Sequence, residues 1–201
     1  MTSADYPTRA QAHTYLDEAE RLNPGPWAEH SRNAARAAES IARRIPGMDA
    51  EKAYVLALLH DIGRREGVHK DLHSLHGYDF MLREGFPAVA QVCITHGFWE
   101  GIEPVDTIYW DGSEADLARI RDLHRGFSFD DYDRLIRLAD GLSMHDGFRL
   151  LEQRLLDVAL RYGVYERTAD EWRNSLALKD YFSQLIGCSV YAALPEPPNI
   201  A

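Results

Sequence analysis

Apolar positions recur every three or four residues through most of this chain, the period of amphipathic helices packed on a common core. The pattern predicts a first helix opened by the capping-box spacing of Thr8 and Gln11 and stopped by Asn23-Pro24-Gly25-Pro26. Further helices are predicted at 27–45, 50–62, 74–84, 87–96, 114–125, 130–144, 147–162 and 169–187, the last opened by a second capping box of Thr168 with Glu171. Pro46-Gly47, Gly85-Phe86-Pro87 and Gly163 separate these segments. Strand-like alternation beyond four residues is hard to find. The expected fold class is therefore all-α, a bundle of about eight or nine helices in one domain over 1–201, with a short non-helical tail at Pro195-Glu196-Pro197-Pro198. One stretch resists helix, from Phe98-Trp99-Glu100-Gly101 to Trp110-Asp111-Gly112-Ser113.

Polar residues interrupt this pattern in three informative places. The run Ala53-Tyr54-Val55-Leu56-Ala57-Leu58-Leu59 leads directly into His60-Asp61. Burying such groups is costly unless something pairs with them, and an ion is an economical partner. Adjacent helical residues point about 100° apart, so both reach one ion only near a helix end, which Gly63 is expected to supply. The alternative is an Asp-capped helix with a chance neighbouring His. His30 shares a face with Asn33, Ala34 and Ala37, where little bulk would keep it from a neighbour. Asp140 ends the stripe Leu135-Ile136-Arg137-Leu138-Ala139, where it could equally be a helix-terminal hydrogen-bond partner. Four nitrogen and oxygen donors of this kind suit a first-row metal such as Fe, Mn, Co or Zn.

His30, His60-Asp61 and Asp140, in that order on helices and with His-Asp-Ile-Gly-Arg at 60–64, resemble the H…HD…D signature of the HD-domain superfamily of metal-dependent phosphohydrolases. The resemblance runs from about Trp27 to Gly141, leaving a helical extension at about 147–190 beyond it. It implies an HD-type helical bundle in which His30, His60, Asp61 and Asp140 hold a metal. Binuclear relatives carry two further histidines, the first typically four residues before a glycine. That implies His73, four before Gly77, rather than His76, with His96 as the second and Asp61 as the bridge. For His73 the other reading is a polar helix start, and for His96 a helix C-terminal cation. The implied cofactor is one or two divalent ions per chain (Fe, Mn, Co or Zn, with Mg also allowed). Ile62-Gly63-Arg64-Arg65-Glu66 lacks the Glu-Asp pair of stringent-response hydrolases, and Thr95-His96-Gly97 lacks the paired histidines of cyclic di-GMP phosphodiesterases. The pattern looks nearer to small stand-alone HD hydrolases.

Composition narrows the partners. At 201 residues, 45% hydrophobic and 27% charged, the chain has the balance of a soluble globular protein. Its longest apolar runs fall short of the roughly 18 residues a membrane span requires. The start, Met1-Thr2-Ser3-Ala4-Asp5-Tyr6-Pro7, lacks the basic-then-apolar design of a signal peptide. Cys93 and Cys188 lie far apart in apolar helical patterns, which suits free buried thiols and a cytoplasmic location. A net charge of −10 opposes a nucleic-acid polymer. Arg64, Arg65 and Lys70 lie between His60 and His76, and Arg32 near His30, so a local basic pocket for a small phosphorylated substrate is expected. Arg65 is expected to sit in water, as are His13, His69, His124 and His145. Association as a homodimer stays open.

A carboxylate-bridged metal pair would lower the pKa of bound water and neutralise phosphoryl charge. The expectation is a phosphohydrolase that cleaves a phosphomonoester or phosphoanhydride of a small nucleotide-like metabolite. Asp61 and Arg64 are the catalytic candidates, and Arg64, Lys70 and His76 the substrate-binding ones. The aromatic stretch with Phe98, Trp99, Tyr109 and Trp110 could stack a base or merely cover the core. Two rival readings are a di-iron oxygenase on the same ligands and a non-catalytic nucleotide-sensing module.

Overall fold

The computed structural model describes residues 5–105 and 110–199, so Tyr109 and the first four residues lie outside the described part. Ten α-helices are described: α1 (Arg9–Leu22), α2 (Trp27–Ala42), α3 (Ala50–Leu59), α4 (Leu72–Arg83), α5 (Pro87–Thr95), α6 (Glu114–Gly126), α7 (Asp131–Leu142), α8 (Leu151–Tyr162), α9 (Thr168–Leu185) and α10 (Val190–Ala193). A 3-10 turn over Ile62–Glu66 follows α3. The all-α expectation holds, and the only described strands are the two-residue pair β1 (Ser143–Met144) and β2 (Gly147–Phe148).

α3 lies at the centre because it is apolar all round: every residue from Ala53 to Leu59 is buried. Its broadest contact is with α2. Six alanines on α2, Ala28, Ala34, Ala35, Ala37, Ala38 and Ala42, are fully buried, and small side chains on this helix let the two backbones approach. α7 closes on both helices, while α4 and α5 pair beside them. Asp133 ties α5 to α7 from within, accepting from Thr95 Oγ1 at 2.6 Å and Gln91 Nε2 at 3.0 Å. Side-chain caps open several helices. Thr8 accepts from Gln11 N, Asp49 from Glu51 and Lys52 N, Ser113 from Asp116 N, and Asp130 from Tyr132 and Asp133 N.

Several predicted boundaries move for local reasons. α3 stops at Leu59, three residues early, and Asp61 adopts φ −100°, ψ 12°. Gly63 is therefore not a left-handed helix stop. It is a close-approach site, where a Cβ would fall 1.9 Å from His73 O and 2.3 Å from Gly77 N. The predicted helices at 130–144 and 147–162 are interrupted by the β1–β2 hairpin, whose Gly147 has φ 128°. Thr168 does not cap α9, since its hydroxyl accepts from Tyr165 N instead and Arg167 holds the cap position. Cys188 lies beyond the end of α9 and is only half-buried, whereas Cys93 is fully buried.

Gly63→Ala is expected to lower stability by ~3 kcal/mol or more, because the added methyl meets backbone that cannot step aside. Gly126→Ala, with open space at its Cβ, should be neutral or slightly stabilising. Thermal unfolding of the two variants side by side checks this.

Candidate metal centre

Five of the six residues singled out as ligand candidates line one cleft and the sixth, His60, is buried directly against them, all brought together by five elements. His30 comes from α2, His60 and Asp61 from the end of α3, His73 from α4, His96 from the end of α5, and Asp140 from α7. His30 Nε2 lies 2.9 Å from Asp140 Oδ1, and His73 Nε2 lies 2.8 Å from Asp61 Oδ1. His96 Nε2 is 3.6 Å from the same Asp61 oxygen, while His60 Nε2 is 3.9 Å from Asp61 Oδ2 and 3.8 Å from Asp140 Oδ1. Two groups could each hold an ion, His30 with His60 and Asp61, and Asp61 with His73 and His96. Asp61 belongs to both.

The backbone orients all four imidazoles in the same way. Nδ1 of His30 faces Ser143 O at 3.1 Å, that of His60 faces Ala57 O at 2.6 Å, and that of His96 faces Val92 O at 3.0 Å. His73 Nδ1 faces Lys70 O. A carbonyl only accepts, so each Nδ1 carries the proton and each Nε2 is turned inward. The hairpin explains one of these contacts, since β1 places the Ser143 carbonyl over His30 and the Met144 carbonyl over Asn33 Nδ2 at 2.8 Å.

What faces inward requires positive charge. His60 Nε2 is buried without a hydrogen-bond partner among the described residues. His73 Nε2 and His96 Nε2 stand 3.4 Å apart with lone pairs opposed. Burial pushes the His96 imidazole down to about 3, aided by His60 and His73, and burial lowers His60 too. Burial opposes the His30 cation, but the hydrogen bond and charge of Asp140 outweigh it and raise its pKa. Burial would also raise both carboxyl groups. Arg64, His73 and His60 nonetheless hold Asp61 well below its usual range, and His30, His60 and His96 do the same for Asp140. Two anionic carboxylates and convergent imidazole Nε2 atoms form a donor set that fits divalent cations.

The basic residues are arranged differently from expectation. Arg64 reaches the cleft, but its Nε donates to Asp61 Oδ2 at 2.6 Å and its Nη1 to His69 O at 3.0 Å. Arg65 does not sit in water; it stacks 3.9 Å over Phe80 and faces Glu18. Lys70 and His76 are not among the residues lining the cleft, and His76 packs instead against His69. His124 is buried against Trp99 O at 2.9 Å rather than solvated. His145 is exposed as expected, yet it borders the cleft. His13 is half-buried and meets Tyr54 Oη at 3.0 Å.

Sequence reasoning missed Asp71, Arg137, Arg154 and Arg161, all of which line the cleft of about 410 Å³. Arg137 donates to His96 O at 2.8 Å and lies 3.6 Å over the Trp99 ring. Burial brings its pKa down to about 10. Its signal in the sequence was a cation inside the apolar stripe that ends at Asp140. Arg154 and Arg161 belong to α8, which folds back over the cleft, and nothing local in the sequence announces that return. Trp99 is thus the ring beside the site, whereas Trp110 packs with Phe98 on a small core around Leu75, Ile94 and Ile120.

The HD domain family profile matches residues 27–145. The chain belongs to the HD domain family. Its fold also superposes on the HD domain of the L. monocytogenes phosphodiesterase PgpH, with a TM-score of 0.51 and 17% identity over 87% of this chain and 96% of that one. No curated protein matches the chain. Among the described residues, no helix of this HD domain protein is long and apolar enough to cross a membrane.

Manganese added to chelator-treated protein is expected to raise the unfolding temperature. At a hundredfold excess over Kd the linkage is about 2.7 kcal/mol, or roughly 5–10 °C for a chain of this size. The shift should shrink as the pH falls through the His30 pKa, which Asp140 holds above its ordinary value, because the ion must displace that proton. His60 and His96 are shifted down and stay unprotonated to lower pH. His60→Ala should abolish it, and an undiminished shift in that variant would place the ion elsewhere.

Proposed function

We propose that this HD domain protein is a metal-dependent phosphohydrolase acting on a phosphomonoester or phosphoanhydride of a small nucleotide-like metabolite. The observation that carries the reading is the shared Asp61 carboxylate between two histidine groups, beside a cleft lined by four arginines. His30, His60, Asp61, His73, His96 and Asp140 would hold one or two divalent ions, Fe, Mn, Co or Zn with Mg also allowed by the mixed nitrogen and oxygen donors. Bound there, the ions would supply charge neutralisation at the phosphoryl oxygens and a more acidic water.

The protein's own groups divide the remaining work. Arg64 is held by Asp61 and His69 at the cleft wall, so its guanidinium is presented in one orientation. Arg137, Arg154 and Arg161 supply further donors for phosphate oxygens. Hydrolysis joins a water oxygen to phosphorus, breaks the bond to the leaving oxygen, and returns a proton to that oxygen. Asp71, in the same cleft, has a carboxyl pushed up by burial to about 6 and is placed to carry that proton. The fold shared with a phosphodiesterase is compatible with this chemistry.

A screen of phosphomonoesters and nucleotides with manganese- or iron-loaded protein tests the reading through phosphate release. Asp61→Ala should lose activity at least ~10³-fold along with metal, and Asp71→Asn should lower kcat about 10²-fold with metal retained. Oxygen uptake on iron-loaded protein with no phosphate released from any substrate would reject hydrolysis in favour of an oxygenase.

A further inference from the structure

The stretch between α5 and α6 that resists helix delivers one carboxylate to the edge of the site. Asp111 Oδ2 accepts from Lys70 N at 2.8 Å and Oδ1 from Leu72 N at 2.9 Å, while His69 Nδ1 lies 3.4 Å from Oδ2. Burial opposes the Asp111 anion, but the two N–H donors and His69 outweigh it and lower its pKa. The carboxylate is itself held from both sides. Trp110 packs into the small core around Leu75, Ile94 and Ile120, and Ser113 caps α6. Gly112 between them is a close-approach site, where a Cβ would fall 2.5 Å from the Trp110 ring and 2.9 Å from Leu72 Cδ1.

The segment that Asp111 clamps meets the metal centre through three successive residues. His69 O accepts from Arg64 Nη1 at 3.0 Å, Lys70 O faces His73 Nδ1, and Asp71 lines the cleft. Asp71 also stands at the N-cap of α4, where an Asp side chain ordinarily accepts from N–H groups of its own first turn. It makes no such bond here. An acceptor for the opening N–H of the helix, that of Leu72, comes from the distant Asp111 instead, and the Asp71 side chain faces the cleft. Without the clamp, Asp71 could turn back to cap its own helix, and the Lys70 carbonyl would lose the bond that fixes its peptide.

We propose that Asp111 is a positioning residue for the metal centre: by clamping the backbone of residues 70 and 72 it fixes the Lys70 carbonyl that aims His73, and it keeps Asp71 turned into the cleft. Asp111 is not among the residues lining the cleft, so it acts through these neighbours alone. Its hold on His73 needs only metal binding, whereas its hold on Asp71 rests on the phosphohydrolase reading.

Calorimetric titration of chelator-treated protein with manganese compares wild type, Asp111→Ala, His73→Ala and the double variant. Asp111→Ala is expected to weaken manganese binding about 10-fold or more, and to add little once His73 is already removed. Asp111→Asn, which keeps one carbonyl acceptor in nearly the same shape, should recover part of the loss, and it serves in place of Asp111→Ala where that variant does not fold. Thr8→Ala removes a cap from α1, none of whose residues lines the cleft, and should bind manganese as the wild type does. Unchanged affinity in Asp111→Ala, or an equal loss in the His73→Ala background, overturns the hold on His73. Wild-type protein that binds no manganese overturns it together with the hydrolase reading. Phosphate release at saturating manganese then reads Asp71. The kcat is expected to fall about 10-fold in Asp111→Ala and to fall little further when the same change is made in Asp71→Asn. A fall of the same size in that background overturns the hold on Asp71. Metal binding as expected with no substrate turned over rejects the hydrolase reading and with it the role of Asp71, and leaves the hold on His73 standing.

Discussion

One buried carboxylate organises this molecule. The Asp61 side chain is only 5% exposed, yet it stays anionic because Arg64, His73 and His60 surround it. A buried charge is tolerable only when its partners are well placed, and removing one leaves the rest uncompensated. That condition shapes the neighbourhood. α3 ends early so that His60 and Asp61 can turn towards a common centre, and Gly63 lets the chain pass against α4 so that His73 can face Asp61. The four Nδ1-to-carbonyl contacts then keep every imidazole aimed inward. The Thr95–Asp133 contact and Arg137 hold the end of α5, and so His96, against α7 and Asp140.

The cleft is built in two layers of different origin. Ligand candidates come from the α2–α7 core, where apolar packing is tight and side chains are held in place. Arg154 and Arg161 come from α8, a helix with only Leu151 fully buried. Rigid positioning suits groups that must converge within a few tenths of an ångström, whereas groups that meet a substrate gain from a looser wall. The candidate ligands and these two cleft-lining arginines thus come from separate parts of the chain.

Much of this was legible in the sequence for a physical reason. Polar residues such as His60, Asp61 and Asp140 stand where the helical period demands apolar ones, and that conflict marks a site without any knowledge of contacts. The six ligand candidates gather at one cleft, and the helices fall near their predicted places because their apolar faces and caps are local signals. The rest depends on contacts between distant segments. Pattern alone could not tell that Gly63 touches α4, that Arg65 lies on Phe80, or that β1 and β2 would replace helix where Ser143 and Met144 offer carbonyls to α2. Arg64 and Lys70 were grouped by their nearness to His60 along the chain, but Lys70 does not line the cleft and α8 brings distant arginines in.

The central claim is that Asp61 is shared by two ions. Elemental analysis of protein purified without added metal or chelator tests it most directly. About two first-row ions per chain in the native protein, falling to one or none in Asp61→Ala, is the expected result. One ion or fewer per chain, unchanged after reconstitution with iron or manganese, would contradict it and remove His73 and His96 from the ligand set.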